Sequence, residues 1–264
     1  MRTIALVAQK GGSGKSTLAS SLAVAAHEMK EKVCVIDLDP QGSLTNWAKT
    51  RGVGDIEVVA SSAARLPAAL AQLKAKGLTL AIIDTPGDEG PASRAAMVVA
   101  DLNIIPCRPS MFDLWASART RAALKELGGD FVFLLNQCPP AQQTARVKDG
   151  VETLERMGGL ISPLILSRAD YQEAARHGWG VTELNPNGLA AAEMRSLWAS
   201  IRRRLAQAKL KSAVKQATAQ VATAQTARAQ NVAPVQIAPA QNAAPQKAAP
   251  PKALKQKPPT QKAA

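Results

Sequence analysis

Lys10-Gly11-Gly12-Ser13-Gly14-Lys15-Ser16-Thr17 decides the fold, because it sits between a strand-length apolar run, Thr3 to Ala8, and a segment of helical spacing, Ser16 to Lys30. Glycines at this density let successive backbone N–H groups converge on phosphate oxygens, and a helix that starts immediately afterwards adds the positive end of its dipole. In that setting Lys15 is expected to reach the β and γ phosphates and the Ser16 hydroxyl to ligate Mg²⁺. ATP with Mg²⁺ is therefore the expected cofactor pair.

Beyond this loop, apolar runs recur at Val33 to Asp37, Ile56 to Ala60, Leu78 to Asp84, Leu102 to Pro106, Phe131 to Asn136 and Leu160 to Leu166. Continuous rather than alternating apolar runs suit strands covered on both faces. Between them, Ser61 to Lys76, Ala92 to Ala100, Phe112 to Leu127 and Ala145 to Met157 carry helical spacing. Strict alternation of strand and helix predicts an α/β fold: a three-layer, doubly wound, mostly parallel sheet of about seven strands, joined by right-handed crossovers. A last helix is expected from Gly188 to about Leu210, with Leu189, Glu193, Leu197, Ile201 and Leu205 on one face.

The chain has 264 residues and a formal net charge of +13, unevenly spread. Residues 1 to 193 hold all 20 acidic residues and 20 basic ones, so the excess lies beyond them. Residues 211 to 264 contain 17 Ala, nine Gln and seven Pro, with no acid, glycine or aromatic. The expected organisation is a globular ATPase domain over residues 1–210, then a tail over 211–264 that starts partly helical and becomes disordered from Pro234. No run approaches the length of a membrane-spanning helix, and the first 22 residues do not form a signal peptide, since their apolar run breaks at Gln9. Cys34, Cys107 and Cys138, odd in number and far apart, read as buried free thiols in a reducing compartment, which places the protein in the cytoplasm.

The string KGGSGKST, with Lys10 ahead of the double glycine, resembles the deviant Walker A motif of the ParA/MinD superfamily. The resemblance implies that Lys10 crosses a dimer interface to the nucleotide of the other subunit, which makes an ATP-bound homodimer the expected switch. Val35 to Gln41 is similar to the second-strand motif of that family, with Asp39 matching the acid near Mg²⁺ and the attacking water. Asp37 is given a supporting role in metal hydration. Ile82 to Gly87 is similar to its Walker B segment, with Asp84 holding a metal-bound water. Asn136 matches an asparagine that contacts the base, although an ordinary turn residue before Cys138-Pro139-Pro140 would look the same.

Within the superfamily, Asp39 to Trp47 and Ser167 to Ala174 resemble the small ParA/ParF-type partition ATPases, over roughly residues 2 to 206. A first strand at Thr3 leaves no room for an N-terminal helix-turn-helix domain, so operator binding is not expected. The tail lacks the large apolar residues of a membrane anchor, and the cysteines lack the CxxC spacing of metal-cluster carriers. What this leaves is nonspecific binding to double-stranded DNA, which needs cations rather than base-reading side chains. Arg168, Arg176, Arg202, Arg203 and Arg204 are the candidate contacts, and nucleoid association follows. A ParB-like or adaptor protein bound to a plasmid or chromosome is the expected activator of a weak intrinsic ATPase. Two alternatives stay open: a positioning ATPase for carboxysomes or chemoreceptor clusters, and an ATP-gated binding module for which DNA is incidental. The tail fits a DNA-binding segment, a spacer or a partner-binding segment.

Overall fold

The computed structural model describes residues 1–140 and 144–208. The expectations for the tail lie outside the described residues. Six strands form one sheet: β1 (Arg2–Leu6), β2 (Val33–Asp37), β3 (Glu57–Ala60), β4 (Leu80–Asp84), β5 (Leu102–Cys107) and β6 (Phe131–Leu135). Their order is β3-β2-β4-β1-β5-β6, and every neighbouring pair is parallel. The helices are α1 (Lys15–Glu28), α2 (Ser43–Arg51), α3 (Leu66–Ala75), α4 (Pro91–Val99), α5 (Met111–Leu127), α6 (Ala145–Met157), α7 (Ala169–Arg176), α8 (Val181–Leu184) and α9, residues 189–208.

Strand side chains alternate between two buried faces, as their period of two requires. Ile4, Leu6, Val33, Val35, Leu80, Ile82, Ile104 and Leu134 pack on one side against α1, α2 and the C-terminal helices, through Leu18, Leu22, Trp47, Tyr171, Leu197 and Trp198. Ala5, Ile36, Ala81, Ile83, Ile105, Phe133 and Leu135 pack on the other side against α3 to α6, through Leu66, Leu73, Met97, Leu114, Leu124 and Leu154. Both faces are therefore dry, which is why the strands read as unbroken apolar runs. Helix α1 carries Ala19, Ala23, Ala25 and Ala26 on its buried side, and such small side chains let the helix lie close against the sheet.

The sheet has six strands where about seven were expected. Residues Leu160 to Leu166 make only two isolated parallel bridges, Phe133 to Leu160 and Cys138 to Leu166. The chain bends at Ser162-Pro163 between them, and Pro163 has no N–H to give to a ladder. In α9 the buried residues are Ala190, Ala191, Met194, Leu197, Trp198, Ile201 and Leu205. Leu189, placed on that face from its spacing, is instead 67% exposed, because it lies in the first turn. The three cysteines are free and buried, and burial pushes the thiols of Cys34 and Cys107 up to about 12 and that of Cys138 up to about 11. Among the described residues no helix is long and apolar enough to cross a membrane.

Candidate functional site

Parallel register brings three strand ends level: Leu6 of β1 and Asp37 of β2 both pair with Asp84 of β4. The phosphate loop leaves β1 at this edge, where a doubly wound sheet gathers its ligand, and of the two strand-tip carboxylates Asp84 touches the loop through Ser16. Gly14 ends the loop at φ +91, a backbone conformation that disfavours any side chain. A Cβ there would also stand 2.5 Å from the Asn136 side-chain nitrogen. Helix α1 then starts at Lys15, directing its free N–H groups into the loop.

A cavity of about 1030 Å³ lies over the loop. Its walls are Gly11, Gly12 and Gly14 to Thr17, then Asp39 to Gln41, the inner side of α2 with Asn46 and Trp47, Pro86 to Asp88, and Ala175 with Arg176. Lys15 is buried at its floor, with Nζ 3.5 Å from the Ala8 carbonyl. Burial lowers the pKa of Lys15, while the charges of Asp84, Asp39 and Asp88 act in the opposite direction. Asp84 is also buried, and that burial pushes its carboxyl up to about 7, against a hydrogen bond from Ser16 and the charge of Lys15. The Ser16 hydroxyl donates to Asp84 Oδ2 at 2.5 Å.

Two buried oxygens here have no partner: Asp84 Oδ1 and Ser13 Oγ. A buried unpaired acceptor is costly, and a ligand that supplies the missing contact relieves it. Among the described residues no group of three His, Cys, Asp or Glu could hold a metal by itself. The donor set fits Mg²⁺ nevertheless, since this ion is usually held by one or two protein oxygens together with phosphates and water. Ser16 and Asp84 are the residues that would hold it.

The other expected site residues separate into groups. The Asp39 carboxylate borders the cavity, its Oδ1 accepting the Gln41 N–H at 2.9 Å. Asp37 is buried and already occupied: its Oδ1 accepts from the Asp39 N–H, and its Oδ2 from the N–H groups of Leu44 and Thr45 and from the Thr45 hydroxyl. It thereby caps the start of α2 and shapes the Asp39 turn. Asn136 donates to the Ser13 carbonyl at 2.8 Å and lines a smaller cavity of about 140 Å³ with Thr17, Arg168 and Tyr171. Lys10 is turned away from the large cavity, with its ammonium 2.8 Å from Asp113 Oδ2.

The five arginines do not form one patch. Arg202 and Arg203 are exposed on α9. Arg204 is paired with Asp130 at 2.6 Å, and Arg168 with Glu193 at 2.7 Å beside the smaller cavity. Arg176 stands at the mouth of the large cavity, 3.5 Å from Glu173.

Sequence reasoning missed three contributors. Asp88 lines the large cavity, Gln137 donates to the Gly12 carbonyl at 2.9 Å, and Asp113 holds Lys10. Only Asp113 had a local signal, because Ser110 three residues ahead of an acid marks a helix start. Ser110 indeed caps α5.

A profile described as the CobQ/CobB/MinD/ParA nucleotide binding domain matches residues 4–197. The chain is 27% identical over 201 residues to a maintenance of carboxysome distribution protein A from Halothiobacillus neapolitanus, covering 72% of this chain and 91% of that protein. A protein of the same name from Gloeobacter kilaueensis is 31% identical over 197 residues, covering 73% of this chain and 89% of that one. Among solved structures, the septum site-determining protein MinD of Pyrococcus horikoshii, complexed with Mg-ADP, superposes with a TM-score of 0.61 at 19% identity, covering 76% of this chain and 95% of that one.

Proposed function

The chain belongs to the CobQ/CobB/MinD/ParA nucleotide-binding family, as an ATPase of ParA/MinD type, and from that premise we propose that it is an ATP-switched positioning protein. It binds ATP with Mg²⁺, forms a homodimer, associates with nucleoid DNA without sequence preference, and lets go when an adaptor on its cargo stimulates hydrolysis. The observation that carries this reading is the floor of the large cavity, where buried Lys15 and half-buried Ser16 belong to the phosphate loop and the Ser16 hydroxyl reaches the buried carboxylate of Asp84.

Lys15 and the loop amides neutralise charge on the phosphoryl oxygens as the terminal phosphate transfers, which is where most of the rate gain in such chemistry arises. Asp39, at the cavity wall, orients the water. Ser16 and Asp84 are the residues that would hold Mg²⁺, which would offset negative charge on the phosphates. Among the described residues the cavity is lined by carboxylates, Asp39 and Asp88, and by no histidine, which favours slow hydrolysis by the unstimulated protein. Lys10 supplies a further cation from the second copy.

The names of the two relatives favour a protein assembly such as a carboxysome as the cargo. The resemblance of Asp39 to Trp47 to the partition ATPases favours a second reading, a plasmid or chromosome carrying a ParB-like protein. DNA contact rests on Arg202 and Arg203, whose side chains are free of ion pairs among the described residues, with Arg168, Arg176 and Arg204 rearranging from their acidic partners. The test is a mobility shift on random duplex DNA with Asp39→Ala protein, blocked in hydrolysis. Retardation is expected with ATP and not with ADP. Changing Arg202 and Arg203 to Glu should lower affinity and reduce the salt slope by about 0.9 for each phosphate that is no longer neutralised. Retardation indifferent to nucleotide would refute the switch, and a mutant with an unchanged salt slope would remove α9 from the DNA face.

A further inference from the structure

Lys10 leaves the phosphate loop on the side away from the large cavity. It enters a separate concavity of about 370 Å³ together with Arg108, Ser110, Asp113 and Arg146. There its ammonium meets Asp113 Oδ2 at 2.8 Å and lies 5.8 Å from the centre of the Phe112 ring. The Asp113 side chain is 4% exposed and that of Lys10 is 34% exposed. Asp113 is the hub of this cluster: Arg108 Nε donates to its Oδ1 at 2.8 Å, and the Ser110 hydroxyl donates to its Oδ2 at 2.5 Å. Burial alone would raise the pKa of this carboxyl, but the hydrogen bonds from Arg108, Lys10 and Ser110 prevail and hold it below the usual range.

The two members of the ion pair are not equally dependent on it. Stripping a buried carboxylate of its last cation is strongly destabilising. Asp113 escapes that penalty when Lys10 departs, because Arg108 and Ser110 remain on its two oxygens. Lys10, one third exposed, can exchange this partner for another anion with little loss of hydration. The geometry suits a reversible holding contact better than a permanent tie.

We propose that Asp113 is a positioning residue that holds Lys10 against α5 of its own chain, so that association with a second copy must exchange this contact for one with the second copy's nucleotide. The inference rests on the reading of Lys10 as the residue that crosses the dimer. It gives that reading a threshold: the lysine is withheld from any phosphate until two nucleotide-loaded copies meet, and the ion pair within each chain opposes the dimer by linkage.

The test compares wild type, Asp113→Asn, Lys10→Ala and the double variant by sedimentation across a range of protein concentration, with Mg²⁺ and a non-hydrolysable ATP analogue. Asp113→Asn should lower the concentration at which half the protein is dimeric by roughly threefold to tenfold, the range open to a partly exposed charged contact. The double variant should show no such shift relative to Lys10→Ala alone. A merely structural role for Asp113 would weaken the dimer or leave it unchanged, and would act equally in both backgrounds; either result overturns the proposal. Asp113→Ser, which can still accept from Arg108, replaces the asparagine variant if that one does not fold. Lys10 reactivity with an amine acylating reagent, read by mass spectrometry on nucleotide-free protein, should rise roughly threefold or more in Asp113→Asn. Unchanged reactivity means that the pair does not form in solution and ends the proposal whatever the dimer does. Failure of the underlying reading shows separately, as a wild type that does not dimerise with the analogue or a Lys10→Ala protein that dimerises normally.

Discussion

Lys15 is the residue on which the site's electrostatics turn. Its ammonium is buried beside Asp84, and the pair sits where neither charge is comfortable: burial lowers the pKa of one and pushes the other up to about 7. On the proposed function, a triphosphate would bring several negative charges to Lys15 and Mg²⁺ would bring a cation to Asp84, so binding would relieve both. Lys15→Ala should therefore weaken ATP binding by about 100-fold or more, the worth of losing a charge-assisted contact in a water-poor site. Titration calorimetry checks this, and an affinity within threefold of wild type would remove Lys15 from the phosphates. The arrangement of these residues was legible in the sequence because a phosphate loop is local: eight consecutive residues hold the backbone turn, the cation and the hydroxyl together. The partner of Lys10 was not legible, because Asp113 lies on α5, far along the chain, and only the fold brings the two together.

Among the secondary-structure elements, α2 anchors the turn that carries Asp39 to the C-terminal helices. Arg51, at the end of α2, has a side chain 3% exposed and is held by Asp55 at 2.6 Å and Glu183 at 2.7 Å. It also donates to the Gly178 carbonyl at 3.1 Å and stacks over Trp47. Gly178, at φ +69, lies so close that a Cβ would stand 2.3 Å from the Arg51 backbone nitrogen. Arg51→Met should cost about 2 to 3 kcal/mol at neutral pH, at the lower end for a broken buried pair because both carboxylates are about a third exposed. Burial works to raise the pKa of Glu183, but the hydrogen bonds from Arg51 and the Gly180 N–H, with the Arg51 charge, together outweigh it; separate hydrogen bonds from Arg51 lower that of Asp55. Carboxyls depressed in the fold contribute stability above their ordinary range, and lose it as pH falls through the folded values. The difference between wild type and Arg51→Met in urea unfolding should therefore shrink between pH 7 and about pH 3. A difference that stays constant over that interval would assign the loss to packing on Trp47 instead. Sequence periodicity did not disclose α2, because its buried residues are Leu44, Trp47 and an arginine, and a buried charge does not register as a hydrophobic face. It also overread Leu160 to Leu166, where apolar character was genuine but Pro163 interrupts the ladder. Elsewhere the expected strands and helices stand close to their expected places, because both faces of the sheet are dry and the apolar runs had no competing explanation.

For the molecule as a whole, the two-sided parallel sheet places the chemistry along one edge and the exposed cations of α9 elsewhere, among the helices that cover one face. The net charge of +13 divides in the same way. Residues 1 to 193, balanced in charge, carry the phosphate loop, the strand-tip carboxylates and the Lys10 cluster, while Arg202 and Arg203 belong to the basic excess beyond them. The proposed switch is therefore housed in the neutral part, and the basic part can follow its state only if nucleotide changes the assembly. Molecular mass in solution measures this most directly, by light scattering on wild-type protein with Mg²⁺ and either ADP or a non-hydrolysable ATP analogue. The prediction is a monomer with ADP and a dimer with the analogue, the dimer being weaker in Lys10→Ala. One and the same mass in both nucleotide states would contradict it.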